Sequence, residues 1–103
     1  MDAQQQDQKP TSLRNIIHEG SLMVDVRTVS EYNSGHVKGS INVPLSIVSG
    51  KIEQFRVERR IVVFCQSGSR SSKAKNILEN YSIKNVINGG GWEAINALLN
   101  EKY

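Results

Sequence analysis

Hydrophobic and polar residues follow one another along the chain in short blocks, and the lengths of these blocks predict strands and helices in alternation. The segments Leu22–Val26 and Ile61–Phe64 are short, almost wholly apolar and rich in β-branched residues, which is typical of strands buried on both faces. Two further strands are predicted around Ser40–Val43, which ends before a proline, and over Asn85–Ile87, which ends before a run of glycines. The pattern therefore predicts a sheet of short strands.

Elsewhere, apolar residues recur at intervals of three and four, which predicts helices with one face toward a core. The longest such segment is Ser69–Asn80, and a last helix begins after the run of glycines. The residues predicted to face the core are, for the first of these helices, Ala74, Ile77, Leu78 and Tyr81. For the last helix they are Trp92, Ile95, Leu98 and Leu99.

Shorter helical segments precede the long helix. A first helix, capped by Thr11 or Ser12 and stopped by a glycine, is predicted to place on one side Leu13, Ile16 and Ile17. A brief helix is predicted around Thr28–Gly35, and Gly50 is predicted to divide Pro44–Phe55 into two short helical pieces.

Strands that alternate with helices are typical of the α/β class. We therefore predict a small central β-sheet, mostly parallel, that is flanked by helices on both faces. The chain has 103 residues, which suffices for one domain and is too short for two. Because residues 1–10 are rich in glutamine and show no periodicity, we predict a flexible N-terminal leader over residues 1–10 and a single domain over residues 11–103.

Composition and charge restrict the class of protein. Apolar residues make up 38% of the sequence and charged residues 22%, as in ordinary folded proteins. The formal charge of +3 is scattered along the chain, which favours small anionic partners over nucleic acid. No apolar run approaches the roughly 18–20 residues that cross a bilayer, and no apolar signal segment is found at the start. We therefore expect no membrane partner and a cytoplasmic location.

The sequence contains one cysteine, Cys65, placed where the Ile61–Phe64 strand ends and the helix Ser69–Asn80 begins. A single cysteine forms no intrachain disulfide, and it does not make a zinc site with two histidines at unrelated spacings, so we expect neither a metal nor a cofactor. In parallel α/β folds this edge of the sheet is where sites are built. Backbone N–H groups at a helix N-terminus favour a negative charge, so we expect Cys65 to ionise near neutral pH.

Small and flexible residues follow the cysteine. Gly68 allows backbone conformations that are closed to other residues, so the loop can curl until its N–H groups converge on an anion. Arg70 adds a planar, charged fork that suits oxyanions. We therefore predict that Cys65 is a catalytic nucleophile and that the residues that hold an anionic substrate are Gln66, Ser67, Gly68, Ser69, Arg70 and Ser71.

The same residues have a structural interpretation. A lone cysteine at the end of an apolar strand is most often a small core residue, and Arg70 would form an internal ion pair with Asp25 or Glu31. A core cysteine does not require a serine-rich, glycine-containing turn, however, which favours the functional interpretation. Asp25 and Arg27 lie at the end of the first strand, where they would support the loop; of their possible roles we favour a strand-end ion pair.

Three segments of the chain resemble the rhodanese family, in the same order and over residues 22–100. The first is similar to the family's D-x-R, E-[YF] and G-H-[IV]-x-G-[AS]-x-N-[VI]-P series and consists of Asp25-Val26-Arg27, Glu31-Tyr32 and residues 35–44. The second, from Cys65 to Arg70, is similar to C-x-x-G-x-R, and the third, residues 88–92, is similar to the closing G-G-[WF].

This resemblance implies a rhodanese-like α/β domain with the activity of a thiosulfate sulfurtransferase. Cys65 would attack the sulfane sulfur of a donor such as thiosulfate or a persulfide, release the remainder and hold the sulfur as a persulfide. A thiol, a protein acceptor or cyanide would then remove it. The loop N–H groups would stabilise the thiolate and the persulfide alike, while Arg70 and the serines would orient the anionic end of the donor.

Other functions on a related fold stay open at this point. Phosphatases of the cell-cycle type also place a cysteine at a strand end, but they have five residues between it and the arginine, whereas here four residues separate Cys65 from Arg70. The shorter loop suits a single sulfur better than a tetrahedral phosphate. An arsenate reductase, and a sulfur carrier or binding module without turnover, are the further alternatives.

Overall fold

Strands and helices alternate along residues 12–101, the part of the chain that the computed structural model describes. The strands are β1 (Leu22–Asp25), β2 (Ile41–Asn42), β3 (Ile61–Cys65) and β4 (Val86–Gly91). The α-helices are α1 (Leu13–Glu19), α2 (Val29–Asn33), α3 (Ile52–Arg56), α4 (Ser69–Asn80) and α5 (Trp92–Asn100), and a 3₁₀ helix covers Leu45–Lys51. The predicted α/β class is confirmed.

The sheet has the strand order β2-β1-β3-β4, and every pairing in it is parallel. Strands β1 and β3 lie side by side, with Leu22 opposite Ile61 and Asp25 opposite Phe64. Because parallel strands run in one direction, their carboxyl ends meet at one edge of the sheet. Asp25, Cys65 and Gly91 end their strands there, so this edge carries the residues that the sequence singles out.

Both faces of the sheet are covered, as predicted. Strand β3 is buried along its whole length, and its side chains alternate between two apolar clusters. Ile61, Val63 and Cys65 belong to the first cluster, with Phe55 and Leu78 among their companions. The second cluster contains Val62, Phe64, Ile16, Ile17 and Ile95. Helix α4 packs on the first face and helices α1 and α5 on the second, which fixes the strand end from which Cys65 projects.

Several predicted segments differ from the structure. Strand β4 does not end before the glycines but continues to Gly91, because Gly91 pairs with Cys65 of β3 after a bulge at which Gly90 has a φ of 84°. Gly50 does not divide the helical pieces; it lies inside the 3₁₀ helix, and the α-helical piece begins at Ile52. The prediction that Tyr81 faces the core is wrong, because α4 ends before it and Tyr81 is 47% exposed.

The predicted leader, residues 1–10, and Thr11, one of the two suggested caps, lie outside the described residues. The other suggested cap, Ser12, does cap α1, with its side chain accepting a hydrogen bond from the Asn15 amide. Within residues 12–101, no helix combines the length and the apolar character that crossing a membrane would require.

Candidate active site

The segment Cys65–Ser71, which we call the Cys65 loop, joins the end of β3 to the first turn of α4. Helix α4 begins at Ser69, and its N-cap, Gly68, has the left-handed φ of 103° that favours glycine. This turn directs the first amides of α4 back toward the end of β3. The predicted arrangement of strand, tight turn and helix is therefore present around Cys65.

Backbone amides converge on the sulfur of Cys65. The amide of Gly68 donates a hydrogen bond to Sγ at 3.0 Å, and the amide of Ser71 donates one at 3.4 Å. The hydroxyl of Ser71 lies 3.5 Å from Sγ. These donors come from the positive end of α4, so they favour a negative charge on the sulfur.

The surroundings of Cys65 act on its pKa in two directions. Burial raises the pKa of the thiol, since it disfavours the charged form. Hydrogen bonds from the Ser71 hydroxyl and from the amides of Ser71, Ser67 and Gly68 outweigh burial and lower the pKa of Cys65 to about 7. A large share of the sulfur is therefore thiolate near neutral pH.

Asn88 ties the Cys65 loop to the end of β4. Its Oδ1 accepts a hydrogen bond from the Ser71 hydroxyl at 2.7 Å, and its Nδ2 donates to the Gly68 carbonyl at 3.1 Å. The amide of Gly90 also donates to Asn88 Oδ1, at 2.9 Å. Ser71 is fully buried. Asn88 thereby orients the one hydroxyl that lies beside the sulfur.

The glycines of β4 let the Cys65 loop approach the sheet closely. Between the pairs Val63 with Asn88 and Cys65 with Gly91, β4 advances by one residue more than β3, so β4 bulges beside the loop. A Cβ atom on Gly91 would lie 2.7 Å from the carbonyl oxygen of Gln66. A side chain at this position would therefore displace the loop backbone.

Arg70 forms a bidentate ion pair with Glu31 of α2. The guanidinium Nη1 donates to Glu31 Oε1 at 2.7 Å, and Nη2 donates to Oε2 at 3.0 Å. Hydrogen bonds from Arg70 and from the Thr28 amide lower the pKa of Glu31 to about 2, and the Glu31 carboxylate raises the pKa of Arg70. The sequence allowed Asp25 or Glu31 as the partner of Arg70, and in the structure the partner is Glu31.

Asp25 and Arg27 form a second ion pair, which is buried. Their side chains are 0% and 3% exposed, and the guanidinium donates to both carboxylate oxygens at 2.6–3.0 Å. Arg27 also donates to the carbonyl of Gly35 at 2.7 Å, and its guanidinium carbon lies 4.6 Å from the centre of the Trp92 ring. In this geometry the pair joins β1 to the segment before β2 and to α5, in keeping with the interpretation as a strand-end ion pair.

The environment of Cys65 has features of both the structural and the functional interpretation of this cysteine. Cys65 is 1% exposed and belongs to the core, as a structural cysteine would. Its sulfur is nevertheless surrounded by amide donors, as a nucleophile would be. The predicted loop residues Gln66, Ser67 and Ser69 are exposed and form the surface over the sulfur.

Two depressions adjoin the Cys65 loop. The first, which we call the Trp92 groove, has a volume of about 310 Å³ and is lined by Arg27, Glu31, Gln66, Trp92 and Glu93 among others. The second, which we call the Leu45 groove, has a volume of about 290 Å³ and includes Leu45 and Arg70. Glu31 lines the first and Arg70 the second, so their ion pair borders both routes to the loop.

Asn88 is a site residue that the sequence did not single out. In the sequence, Asn88 stands out only as the first residue of the closing segment 88–92, because its contact with Ser71 spans 17 residues. The signal was its position, since it directly precedes the glycines of a strand that ends at the same sheet edge as Cys65. Among residues 12–101, no cluster of three or more His, Cys, Asp or Glu side chains has a metal-binding arrangement.

Comparison with known proteins matches residues 9–98 to the rhodanese-like domain family. The thiosulfate sulfurtransferase PspE of Escherichia coli is 35% identical over 74 residues, which cover 70% of this chain and 71% of PspE. The putative sulfur carrier protein YrkF of Bacillus subtilis is 32% identical over 70 residues, which cover 68% of this chain and 38% of YrkF.

Solved structures show the same fold. A rhodanese with anions from E. coli superposes with a TM-score of 0.64 and 34% identity, covering 70% of this chain and 87% of that one. The sheet and the cysteine at the end of its central strand β3 agree with the matched family, and the chain belongs to the rhodanese-like domain family.

Proposed function

We propose that this chain is a sulfurtransferase that moves a sulfane sulfur from thiosulfate or another persulfide donor to a thiol or cyanide acceptor. The observation that carries the proposal is the convergence of the Gly68 and Ser71 amides and the Ser71 hydroxyl on Cys65 Sγ. Such donors stabilise an anionic sulfur before and after it receives a second sulfur atom. Membership of a family that includes sulfurtransferases supports the same activity.

In the first half of the reaction the Cys65 thiolate attacks the outer sulfur of the donor. With thiosulfate, a new bond forms between Sγ and the sulfane sulfur, the bond between the two donor sulfurs breaks, and sulfite leaves with the electron pair. Cys65 then carries a persulfide anion. The negative charge then lies mainly on the outer sulfur, one S–S bond from Sγ, where the loop amides at the positive end of α4 favour it.

In the second half, an acceptor attacks the outer sulfur of the Cys65 persulfide. Cyanide takes the sulfur and leaves as thiocyanate, while a thiolate takes it and becomes a persulfide. In both cases the bond between the two sulfurs breaks and its electron pair returns to Sγ as the thiolate. The substrate-holding roles of Gln66, Ser67, Gly68, Ser69 and Ser71 belong to this proposal, and so does that of Arg70, which its ion pair with Glu31 limits. The cytoplasmic location stays a prediction.

The near-complete burial of Cys65 requires the donor to enter beside the exposed side chains of the loop. Gln66 lines the Trp92 groove and Arg70 lines the Leu45 groove, so both depressions lead to residues that flank the sulfur. An anion is expected to reach the loop amides from one of these depressions.

Steady-state turnover tests the proposal. With thiosulfate and cyanide, the protein should form thiocyanate with double-displacement kinetics, and the Cys65→Ser variant should form none. Thiocyanate production that survives in Cys65→Ser would contradict the assignment of Cys65. Hydrolysis of a phosphate ester by the wild-type protein, without thiocyanate, would favour the phosphatase alternative.

A sulfur carrier is the second candidate, and the similarity to YrkF favours it. A carrier would acquire the persulfide on Cys65 but would not release it to small acceptors at a useful rate. Loading without turnover by cyanide or dithiothreitol would therefore identify a carrier, whereas loading with turnover identifies the enzyme.

A further inference from the structure

The charges beside the Cys65 loop are paired with one another. The guanidinium of Arg70 faces the Glu31 carboxylate end-on, and each of its two outer nitrogens donates to a separate oxygen. The guanidinium of Arg27 is held side-on by the Asp25 carboxylate: Nε and Nη2 both donate to Oδ2, and Nε also donates to Oδ1. The paired nitrogens of both guanidinium groups are therefore directed at carboxylates, whereas the loop amides are directed at Cys65 Sγ.

Glu31 is held in place from its own helix as well. Its Oε1 accepts hydrogen bonds from the amide of Thr28 at 3.0 Å and from the Thr28 hydroxyl at 3.1 Å, while the Glu31 amide donates to that hydroxyl. This capping box fixes the carboxylate at the start of α2. Because the pKa of Glu31 is about 2, the carboxylate stays ionised throughout the working pH range. Arg70 is therefore paired with an ionised carboxylate that hydrogen bonds from Thr28 hold at the start of α2.

The Trp92 groove has an acidic balance. Arg27, Glu31 and Glu93 line it; Asp25 neutralises Arg27 and Arg70 neutralises Glu31, so Glu93 supplies the net negative charge of the groove. Its apolar side is formed by Trp92, which is half-buried. Thiosulfate, whose sulfonate charge lies next to the transferred sulfur, gains little in such a groove. A donor whose sulfur is attached to an uncharged carbon group, with its charges farther away, fits it better.

We propose that Glu31 is a specificity residue which, by occupying Arg70, directs the Cys65 thiolate toward organic persulfide donors and away from the thiosulfate dianion. This inference rests on the proposed sulfurtransferase function. The step it concerns is the attack of the Cys65 thiolate on the outer sulfur of R–S–SH. The bond between the donor sulfurs breaks, R–S⁻ leaves with its electron pair, and the sulfane sulfur keeps its proton on Cys65.

The Glu31→Gln variant tests this role. Glutamine keeps the capping box with Thr28 but loses the charge that holds Arg70, so the fold of α2 is preserved. We expect kcat/KM with thiosulfate to rise about tenfold, chiefly through a lower KM, because a freed guanidinium binds the sulfonate oxygens. With glutathione persulfide we expect a change of less than about twofold. Wild-type protein should favour glutathione persulfide over thiosulfate.

Two further variants complete the test. The Glu31→Gln/Arg70→Ala double variant should lose the gain with thiosulfate, since the gain acts through Arg70. The control is Glu53→Gln. This variant also removes a carboxylate from an ion pair with an arginine, Arg56, but the pair lies on α3. The Glu53→Gln variant should leave the ratio of the two donors unchanged.

The outcomes separate the two proposals. If wild-type protein gains no sulfur atom on Cys65 from either donor, the proposed function fails and this inference fails with it. If wild-type protein is loaded but Glu31→Gln leaves the donor ratio unchanged, or lowers thiosulfate use, only the role of Glu31 is overturned.

Discussion

The Ser71 hydroxyl carries a single proton and lies within reach of three acceptors. These are Asn88 Oδ1 at 2.7 Å, the Gly68 carbonyl at 3.1 Å and Cys65 Sγ at 3.5 Å. When Cys65 is a thiol, its S–H can donate to Ser71 while the hydroxyl proton points to Asn88. When Cys65 is a thiolate, the hydroxyl can turn its proton to the sulfur. Ser71 can therefore adapt to both protonation states of Cys65.

The pH dependence of Cys65 alkylation tests this arrangement. Because iodoacetamide reacts with the thiolate, the rate should rise with pH and reach half its maximum near the pKa of about 7, well below the roughly 8.5 of an ordinary thiol. Removing the Ser71 hydroxyl in Ser71→Ala should raise the pKa of Cys65 and reduce the rate at pH 7 roughly severalfold. A midpoint in the ordinary range for the wild-type protein would contradict the role of the loop donors.

At the residue level, the sequence predicted the local backbone structure around Cys65 correctly. Cys65, Gly68 and Ser71 lie within one short segment, so the strand, the turn and the helix start could be inferred from their order. The partnership of Arg70 with Glu31 spans 39 residues, and sequence left Asp25 as an equal alternative. Pairings of this kind depend on which strand ends are neighbours in the sheet, and a single sequence does not specify that.

At the scale of elements, the site depends on the close fit of the end of β4 to the Cys65 loop. Helix α4 could be predicted with its correct bounds, because its apolar residues keep the helical spacing. The extension of β4 through Gly89–Gly91 could not, because glycine has no side chain and therefore no hydrophobic pattern to read. Pairing with β3 decides the conformation of these glycines.

Gly91→Ala tests this fit. The new Cβ would meet the Gln66 carbonyl oxygen at 2.7 Å, so the loop must shift, and we expect the shift to weaken the contacts of its amides with Sγ. We expect sulfur uptake to fall at least about tenfold, with circular dichroism showing that the sheet persists. The matched control is Gly50→Ala, where no atom lies within 4 Å of the added Cβ, and it should keep wild-type uptake. Equal uptake in both variants would show that the loop does not depend on β4.

At the scale of the whole molecule, two arginine ion pairs lie near the carboxyl edge of the sheet, and they differ in burial. The Asp25–Arg27 pair is buried and connects β1 to the segments that surround the carboxyl edge of the sheet. The Glu31–Arg70 pair is partly exposed and borders the two grooves. The burial of the first pair indicates a structural role, and the position of the second pair between the grooves is the basis of the role in donor choice that we propose for it.

Removing one charge of the buried pair should therefore destabilise the protein. Asp25→Asn leaves the Arg27 charge buried and uncompensated, so we expect the free energy of unfolding in urea to fall by about 3–5 kcal/mol. Glu53→Gln, at a carboxylate that is 84% exposed, should cause little change. A loss for Asp25→Asn as small as that for Glu53→Gln would mean that the buried pair is not structural.

The sulfur content of the intact protein after brief exposure to a donor tests the central claim most directly. After incubation with thiosulfate or glutathione persulfide, mass spectrometry should show the addition of one sulfur atom, located on the peptide that contains Cys65 and removed by cyanide. Cys65→Ser should show no such addition. A wild-type protein that stays at its original mass with both donors, although folded and with Cys65 reduced, would contradict the account.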